Sequence, residues 1–474
     1  MLGKGRVSTL YLGAFLALEA TAIYFAWRIL STARTPQGSV GWVAVLIATP
    51  YIGVPAFLFL GHHKLPGYRT SRRASEQVIT RVKSFGERHA PLQRPTLNPT
   101  PFEKIADLPI VRGNDMRLLV DGAATFEAIF AAIDSAESYV LVQFFIVHDD
   151  ALGQSLRERL MAAAARGVTV WFMVDAVGSR KLNADYLDGL REAGIRLVER
   201  RGSRGPKQRF QLNFRNHRKT VIVDGTVGFI GGHNVGDEYM GRDARFGPWR
   251  DTHIEIRGPM VAQLQLIFAE DWHWRTSEVI LDPLIWENTH QPRDLTGLIV
   301  ATGPGDEMET GAMFFFAAIA AARERVWIAS PYCVPDTDIL SALKLAALRG
   351  VEVRLMVPEV IDHKIPWLAA FAYFDELRQA GVEIWRYQPG FMHQKVVLVD
   401  EALSAIGTSN LDNRSFRLNF EAMAMFFDTS VAREVSTMLT ADFENATRMD
   451  RDLKSQKVWI RIGAPVARLF APLL

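Results

Sequence analysis

HRKTVIVD at residues 217–224 and HQKVVLVD at 393–400 are two copies of one pattern, His-x-Lys-x-x-x-x-Asp, and their repetition decides the fold. The first copy supplies His217, Lys219 and Asp224; the second supplies His393, Lys395 and Asp400. Each is followed by a short Gly/Asn turn, GGHN at 231–234 and GTSN at 407–410. In both, the His and Lys precede a β-branched run that reads as a buried strand. Side chains alternate faces along a strand, so positions i and i+2 point the same way. The pattern therefore delivers an imidazole for bond-making beside a fixed cation for an anionic oxygen. That pairing suits phosphoryl chemistry at a phosphodiester. A single His-x-Lys at a strand edge reads as incidental polar surface, but two copies with matching turns do not.

The repetition extends beyond the motifs. QFFIVHDDALGQSLRERLMAAAARGVTVWFMVD (143–175) parallels SPYCVPDTDILSALKLAALRGVEVRLMVPE (330–359), and YLDGLREAGIRLVERR (186–201) parallels YFDELRQAGVEIWRYQ (373–388). Each half reads strand, turn, amphipathic helix closed by Arg-Gly, strand, helix, Ala-Gly, strand, then the motif strand. Gly167, Gly194, Gly350 and Gly381 fall where a helix C′ residue needs a positive φ. Strands alternating with helices of this length predict an α/β fold with mixed, largely parallel sheets.

The paired motifs resemble the HKD signatures of the phospholipase D superfamily. RTPQGSV (34–40), RNHRK (215–219) and NRSFRLNFE (413–421) extend the resemblance to its bacterial cardiolipin synthases along the whole chain. The resemblance implies a duplicated phospholipase D-like domain, two mixed β-sheets flanked by helices about a pseudo-twofold axis, with both motifs in one cleft. The expected organisation is a transmembrane helical hairpin at 1–66, a basic Pro-rich linker at 67–108, a first half at 109–283, a second at 284–450, and a basic amphipathic segment at 451–474.

The hairpin is read from hydropathy. Residues 41–61 carry no charge and match the ~20 residues that a bilayer core requires. Residues 7–30 form a second apolar stretch, interrupted by Glu19 and with Arg28 near its end. A cleaved signal peptide is the rival reading of that stretch, with Lys4 and Arg6 as its basic start. Its length, Glu19 and the second span that follows favour a retained hairpin. Lys4, Arg6, Lys64, Arg69, Arg72 and Arg73 flank it outside, against Arg28 and Arg34 near its turn, so both termini are expected in the cytoplasm.

The net charge of +2 hides local concentration. Residues 61–100 hold eight Lys/Arg against two Glu, and 200–219 hold eight with no acid, which favours an anionic partner. Nucleic acid is the competing anion. The single cysteine, Cys333, excludes an internal disulfide and a Cys-based metal site. The histidines show no HExxH spacing, so metal-free chemistry without a cofactor is expected. Residues 454–474 interleave basic and apolar side chains, which fits either a membrane-interface helix or a tail packed on the core.

The resemblance also implies residue roles. His217 is the expected nucleophile and His393 the expected acid and base, though the spacing leaves that order open. Lys219 and Lys395 are expected to hold the nonbridging phosphate oxygens, with Asn234 and Asn410 as amide donors. An acidic residue following each motif is expected to orient its histidine: Asp251 after the first, with Asp237 and Glu238 nearer in sequence, and Glu421 after the second. Asp224 and Asp400 belong to the catalytic motif, but their expected work is in the fold around it. The implied activity is phosphatidyl transfer between two phosphatidylglycerol molecules, giving cardiolipin and glycerol through a phosphatidyl-histidine, in a multi-pass protein of the bacterial cytoplasmic membrane. No nucleic acid partner is expected. The alternative is a phospholipase D or another phosphodiesterase, a nuclease included, of the same superfamily.

Overall fold

The structure, a computed structural model, describes residues 2–32, 36–61, 80, 84, 86–199, 214–287, 289, 291–306 and 308–474. Arg34, Lys64, Arg69, Arg72, Arg73 and the basic run 200–213 lie outside the described residues. The chain divides into two compact units: residues 1–65 with 203–214, and residues 66–202 with 215–474.

Among the described residues of the first unit lie α1 (Leu2–Thr32), α2 (Pro36–Ala48) and α3 (Pro50–Leu60). Ala22, Ala26 and Ile29 of α1 pack with Leu46 of α2 and with Val54 and Phe57 of α3. Leu10–Ser31 is, among the described residues, the one helical stretch long and apolar enough to cross a bilayer. The expected single span at 41–61 is broken instead. Pro50 disfavours helical geometry at the preceding residue, and Thr49 leaves the helix at φ −142° and ψ 64°. The two pieces have 13 and 11 residues.

The second unit carries the duplication. Its first half contains β1 (Val111–Val120), α5 (Asp121–Asp134), β2 (Tyr139–Phe144), α6 (Ala151–Ala165), β3 (Thr169–Val174), α7 (Ala184–Glu192), β4 (Arg196–Val198), β5 (Thr220–Val223), β6 (Val227–Gly231), β7 (Thr252–Arg257) and α8 (Met260–Thr276). A short helix, α4 (Thr100–Ala106), precedes it. The second half repeats the order: β8 (Leu295–Thr302), α9 (Thr310–Ala321), β9 (Arg325–Ala329), α10 (Thr337–Leu348), β10 (Glu352–Pro358), α11 (Lys364–Gln379), β11 (Glu383–Tyr387), β12 (Val396–Val399), β13 (Leu403–Gly407), α12 (Asn413–Arg417), β14 (Asn419–Phe426), α13 (Thr429–Glu444) and β15 (Ala446–Arg448). A final helix, α14 (Val458–Arg468), follows. The four C′ glycines have φ of +90°, +81°, +87° and +100° at positions 167, 194, 350 and 381.

The expected two sheets are one. β1 and β8 pair antiparallel, and the strands run outward from that pair in matching order: β7, β6, β5, β2, β3, β4 on one side, and β14, β13, β12, β9, β10, β11 on the other. Pairing these two edges leaves neither exposed for unwanted strand addition. Nor is the sheet largely parallel. Along the run of strands just given, β2–β3–β4 and β9–β10–β11 pair parallel and the others antiparallel, because the motif strands β5 and β12 each turn back into a hairpin with the next strand. α8 and α13 cover one face, with Met260, Leu264, Phe268, Val431, Val435 and Leu439 buried against Ile254, Ile256, Ile299 and Ala424. The other helices cover the opposite face in two separate clusters, one per half. The end of the expected linker is part of that packing: Leu97, Phe102, Ile105 and Leu108 join the core of the second half, where Phe102 meets Phe314 and Phe427.

Candidate active site

Asp224 and Asp400 close the two hairpins at φ +50° and +52°, a left-handed conformation that Asp tolerates better than most residues. Both carboxylates cap backbone rather than face the histidines. Asp224 accepts from the N–H groups of Glu137, Ser138 and Tyr139 at 2.9, 2.8 and 2.7 Å. Asp400 does the same for Arg323, Glu324 and Arg325 at 3.1, 2.8 and 2.9 Å. Each thereby ties a motif hairpin to the start of the neighbouring strand.

At the other end of the motif strands lie the histidines. Arg215–Asn216, just before His217, pairs parallel with Asn419 and Phe420 at the start of β14. Phe391–Met392, just before His393, pairs parallel with Trp249 and Arg250. One residue further along each register, His217 stands opposite Glu421 and His393 opposite Asp251. His217 Nδ1 lies 2.9 Å from Glu421 Oε2, and His393 Nδ1 lies 2.7 Å from Asp251 Oδ2. This reverses the expected partnership: each acid lies against the histidine of the other half. The reason is topological, since the acid's own strand is separated from its motif strand by a hairpin partner, while the two-residue bridge brings in the opposite half. Asn419 Nδ2 and Thr408 Oγ1 also donate to Glu421, at 3.1 and 2.6 Å.

The first glycine of each turn permits the strand approach behind this arrangement. A Cβ on Gly231 would sit 2.5 Å from the Thr252 carbonyl oxygen, and one on Gly407 would sit 2.2 Å from that of Ala422. Those carbonyls belong to the residues immediately after Asp251 and Glu421.

Lys219 and Lys395 are buried, and each ammonium donates to the carbonyl of its own motif histidine. Lys219 Nζ also lies 5.5 Å from the centre of the Phe145 ring. The two motifs are within one another's electrostatic reach. Burial first, then the Lys219 and Lys395 charges, push His217 down to about 4 against the pull of Glu421. Burial and then Lys395, Lys219 and His217 hold His393 well below the usual imidazole range. Burial lowers Lys395 to about 8, opposed by Asp251 and Glu421. Lys219 is lowered too, by burial and then by Lys395, against Glu421. Glu421 would rise through burial, but His217 and Lys219 keep it below the ordinary carboxyl value. Burial and the lysine charges thus hold both imidazoles neutral, beside two lysines and two carboxylates.

Surroundings differ between the two histidines. His217 meets Phe145 at 5.0 Å between ring centres, whereas Trp249, Phe391 and Tyr239 surround His393 at 5.4, 6.0 and 6.4 Å. Asn234 is drawn partly out of its expected role: its Oδ1 accepts from Ile146 N at 3.0 Å and its Nδ2 donates to Tyr239 Oη at 3.2 Å. Asn410 is buried with its side-chain oxygen unpartnered.

Two arginines escaped the reading of the sequence. Arg218, between His217 and Lys219, donates to the Glu421 carbonyl at 3.0 Å, to the Thr302 carbonyl at 3.2 Å and to Asp271 on α8 at 2.7 Å. Arg250 donates to the Asp251 carbonyl at 2.6 Å and grips Asp442 on α13 at 2.6 and 2.7 Å. Glu421 and Asp251 therefore each have their backbone held by a buried arginine paired with an aspartate on the helix that closes a half. Arg218 was visible as the middle residue of the motif and Arg250 as the neighbour of Asp251, but only tertiary contacts assign them this work. Elsewhere His148, Asp150 and Glu238 bring three potential metal-ligand atoms within 4.8 Å of one another. Asp150 is already engaged there, capping α6 at Gly153 N and accepting from Asp237 N.

A family model described as "Cardiolipin synthase, PLD-like domain" matches residues 129–272 and 315–445. Cardiolipin synthase A of Pseudomonas putida (strain W619) is 44% identical over 478 residues, spanning 98% of this chain and 99% of the relative. Cardiolipin synthase A of Pseudomonas aeruginosa (strain LESB58) is 44% identical over 491 residues, spanning 99% and 98%. Among solved structures, phosphatidylserine synthase of Haemophilus influenzae Rd KW20 shares the fold with a TM-score of 0.62 at 14% identity, covering 79% of this chain and 99% of that one.

Proposed function

We infer the work of the cleft from the family to which the chain belongs, the cardiolipin synthases with phospholipase D-like domains. The chain is a phosphatidyltransferase that forms cardiolipin. In our reading it takes the phosphatidyl group from one phosphatidylglycerol and passes it to the hydroxyl of another. His217 Nε2 attacks phosphorus; the N–P bond forms as the P–O bond to glycerol breaks, and protonated His393 gives its proton to the departing glycerol oxygen. The acceptor hydroxyl then yields its proton to His393, its oxygen bonds to phosphorus, and the N–P bond breaks. Glu421 and Asp251 hold the two Nδ1 positions, leaving each Nε2 to face the lipid. Lys219 and Lys395 neutralise the nonbridging oxygens, where stabilising the developing charge accounts for a large share of the rate. A bound phosphate raises the depressed imidazole values, which lets one histidine carry the proton.

The observation that carries this reading is the crossed pairing of two buried imidazoles with two buried carboxylates, His217 with Glu421 and His393 with Asp251, beside two buried lysines. The large apolar side chains exposed along α1, among them Leu12, Phe15, Ile23 and Trp27, support a membrane anchor. We place α1 in one span and α2 with α3 in a second, kinked one, with the catalytic unit on the cytoplasmic side.

The test is expression in a bacterium lacking cardiolipin, with lipids read by mass spectrometry. Wild type restores cardiolipin, and His217→Ala and His393→Ala each do not, although both insert in the membrane at normal levels. Phosphatidic acid without cardiolipin, from a membrane rich in phosphatidylglycerol, would mark a phospholipase D instead. Near-normal turnover in either purified variant would end the two-histidine mechanism.

A further inference from the structure

The last helix, α14, has two apolar stripes where a tail packed on the core needs one. Its inward stripe, Ile460, Ala464 and Ala467, is buried, and the helix lies along α11 with Gly463 against Leu368. Its outward stripe is Val458, Ile462, Val466 and Leu469, flanked by Trp459 and Phe470. These six positions fall within an arc of about 120° at the α-helical turn of roughly 100° per residue. All are exposed; Ile462 retains 65% of its surface and Leu469 78%. Lys457, Arg461 and Arg468 fall together on the flank between the two stripes, exposed, and residues 453–474 contain no acid.

The helix is fastened to its neighbours. Trp459 stacks on Trp367 of α11 at 5.6 Å, and Arg468 lies over Tyr373 at 4.7 Å. Beyond the helix, the backbone oxygens of Leu473 and Leu474 accept from Arg414, the latter at 2.6 Å from its backbone N–H. A stripe of four aliphatic residues turned toward solvent has no packing partner among the described residues.

We propose that the outward face of α14 docks shallowly into an anionic phospholipid surface, Val458, Ile462, Val466 and Leu469 entering the headgroup–acyl boundary while Lys457 and Arg461 meet lipid phosphates. The charge on the helix selects this occupant. A second copy laid twofold on the same face would bring Arg461 and Lys457 toward their own images, like charge to like. The proposal rests on the phosphatidyltransferase reading for its choice of lipid, and deepens it by adding a contact from the catalytic unit itself. Such a contact holds the unit at the surface where the donor and acceptor lipids lie.

The test uses the full chain with Cys333→Ala, so that a single introduced cysteine carries an environment-sensitive fluorophore. Ile462→Cys and Leu469→Cys report the outward face; Glu444→Cys, exposed at the end of α13, serves as reference. The protein is reconstituted in vesicles of equal phosphatidylglycerol and phosphatidylcholine, and in phosphatidylcholine alone. At 462 and 469 the emission moves to shorter wavelength and about half of it is lost when lipids brominated high on the acyl chain replace ordinary ones. The loss is smaller in phosphatidylcholine alone, and position 444 shows none. Water-like emission at 462 and 469 overturns the proposal. So does a short-wavelength shift that bromine does not quench and that grows with protein density, the mark of a protein neighbour. Quenching that ignores lipid charge overturns the assigned role of Lys457 and Arg461. Labelled His217→Ala gives the same quenching as its active parent, so a failure of the transfer chemistry and a failure of docking are read separately.

Discussion

In the proposed mechanism Lys395 is a fixed cation at the phosphate, yet burial brings its ammonium down to about 8. Its charge is present below that value and lost above it. The free enzyme should therefore lose kcat/KM as pH rises past about 8, because that ratio reports groups in the unliganded protein. At saturating lipid the bound phosphate holds the proton, so the fall in kcat lies at higher pH. Lys395→Arg, charged throughout, should remove the part of the basic fall in kcat/KM that Lys395 causes and leave that of Lys219, while lowering the plateau, since a planar guanidinium fits a lysine position poorly. Rates against pH in mixed micelles, from pH 6 to about 10, check this. A kcat/KM profile flat across that range contradicts it.

At the scale of the element, the motif splits into parts with different work. The His and Lys ends of β5 and β12 face the cleft, whereas Asp224 and Asp400 staple the far ends to backbone N–H groups at 137–139 and 323–325. Hydrogen bonds to a charged group are worth about 1.5–3 kcal/mol each, and a capping carboxylate holding several is worth less than their sum. Asp400→Ala should lower stability by about 2–4 kcal/mol on that basis while the folded fraction keeps most of its turnover. Lys395→Ala should do the reverse, abolishing turnover with little change in melting. Thermal melts beside activity per folded molecule separate the two. If Asp400→Ala melts normally but is inactive, the carboxylate does chemistry after all.

Across the whole molecule, the catalytic unit keeps four histidines buried and neutral. His217 is held down to about 4, His233 and His253 to about 3, and His393 well below its usual range, in every case chiefly by burial. His233 and His253 lie 5.6 Å apart behind the cleft, and neither nitrogen of His253 has a partner. A folded pKa below the unfolded value of about 6.5 means that unfolding takes up a proton. Stability is then complete above about pH 6.5 and lost as pH falls toward the folded values, by about 1.4 kcal/mol per pH unit for each histidine. The catalytic unit should melt markedly lower at pH 5 than at pH 7.5, and His253→Gln should flatten that slope by one proton's share. A melting temperature unchanged between those two values would contradict it.

Much of this protein was legible along the chain because it is written twice. Motif spacing singled out His217, Lys219, His393 and Lys395, strand and helix periods marked the two α/β halves, and the Gly positions closing four helices required nothing beyond local backbone geometry. What lay beyond a single strand was not legible. Sequence order made Asp251 the partner of His217 and Glu421 that of His393; the two-residue bridges at Arg215–Asn216 and Phe391–Met392 reverse both. Joining of the half-sheets through β1 and β8, and the holding of Glu421 and Asp251 by Arg218 and Arg250, likewise depend on contacts between residues far apart in the chain. Local pattern records which way a side chain faces on its own strand. Which strand lies across from it is settled only when both halves fold against each other, since the register of a pairing is a property of two segments and is written in neither alone.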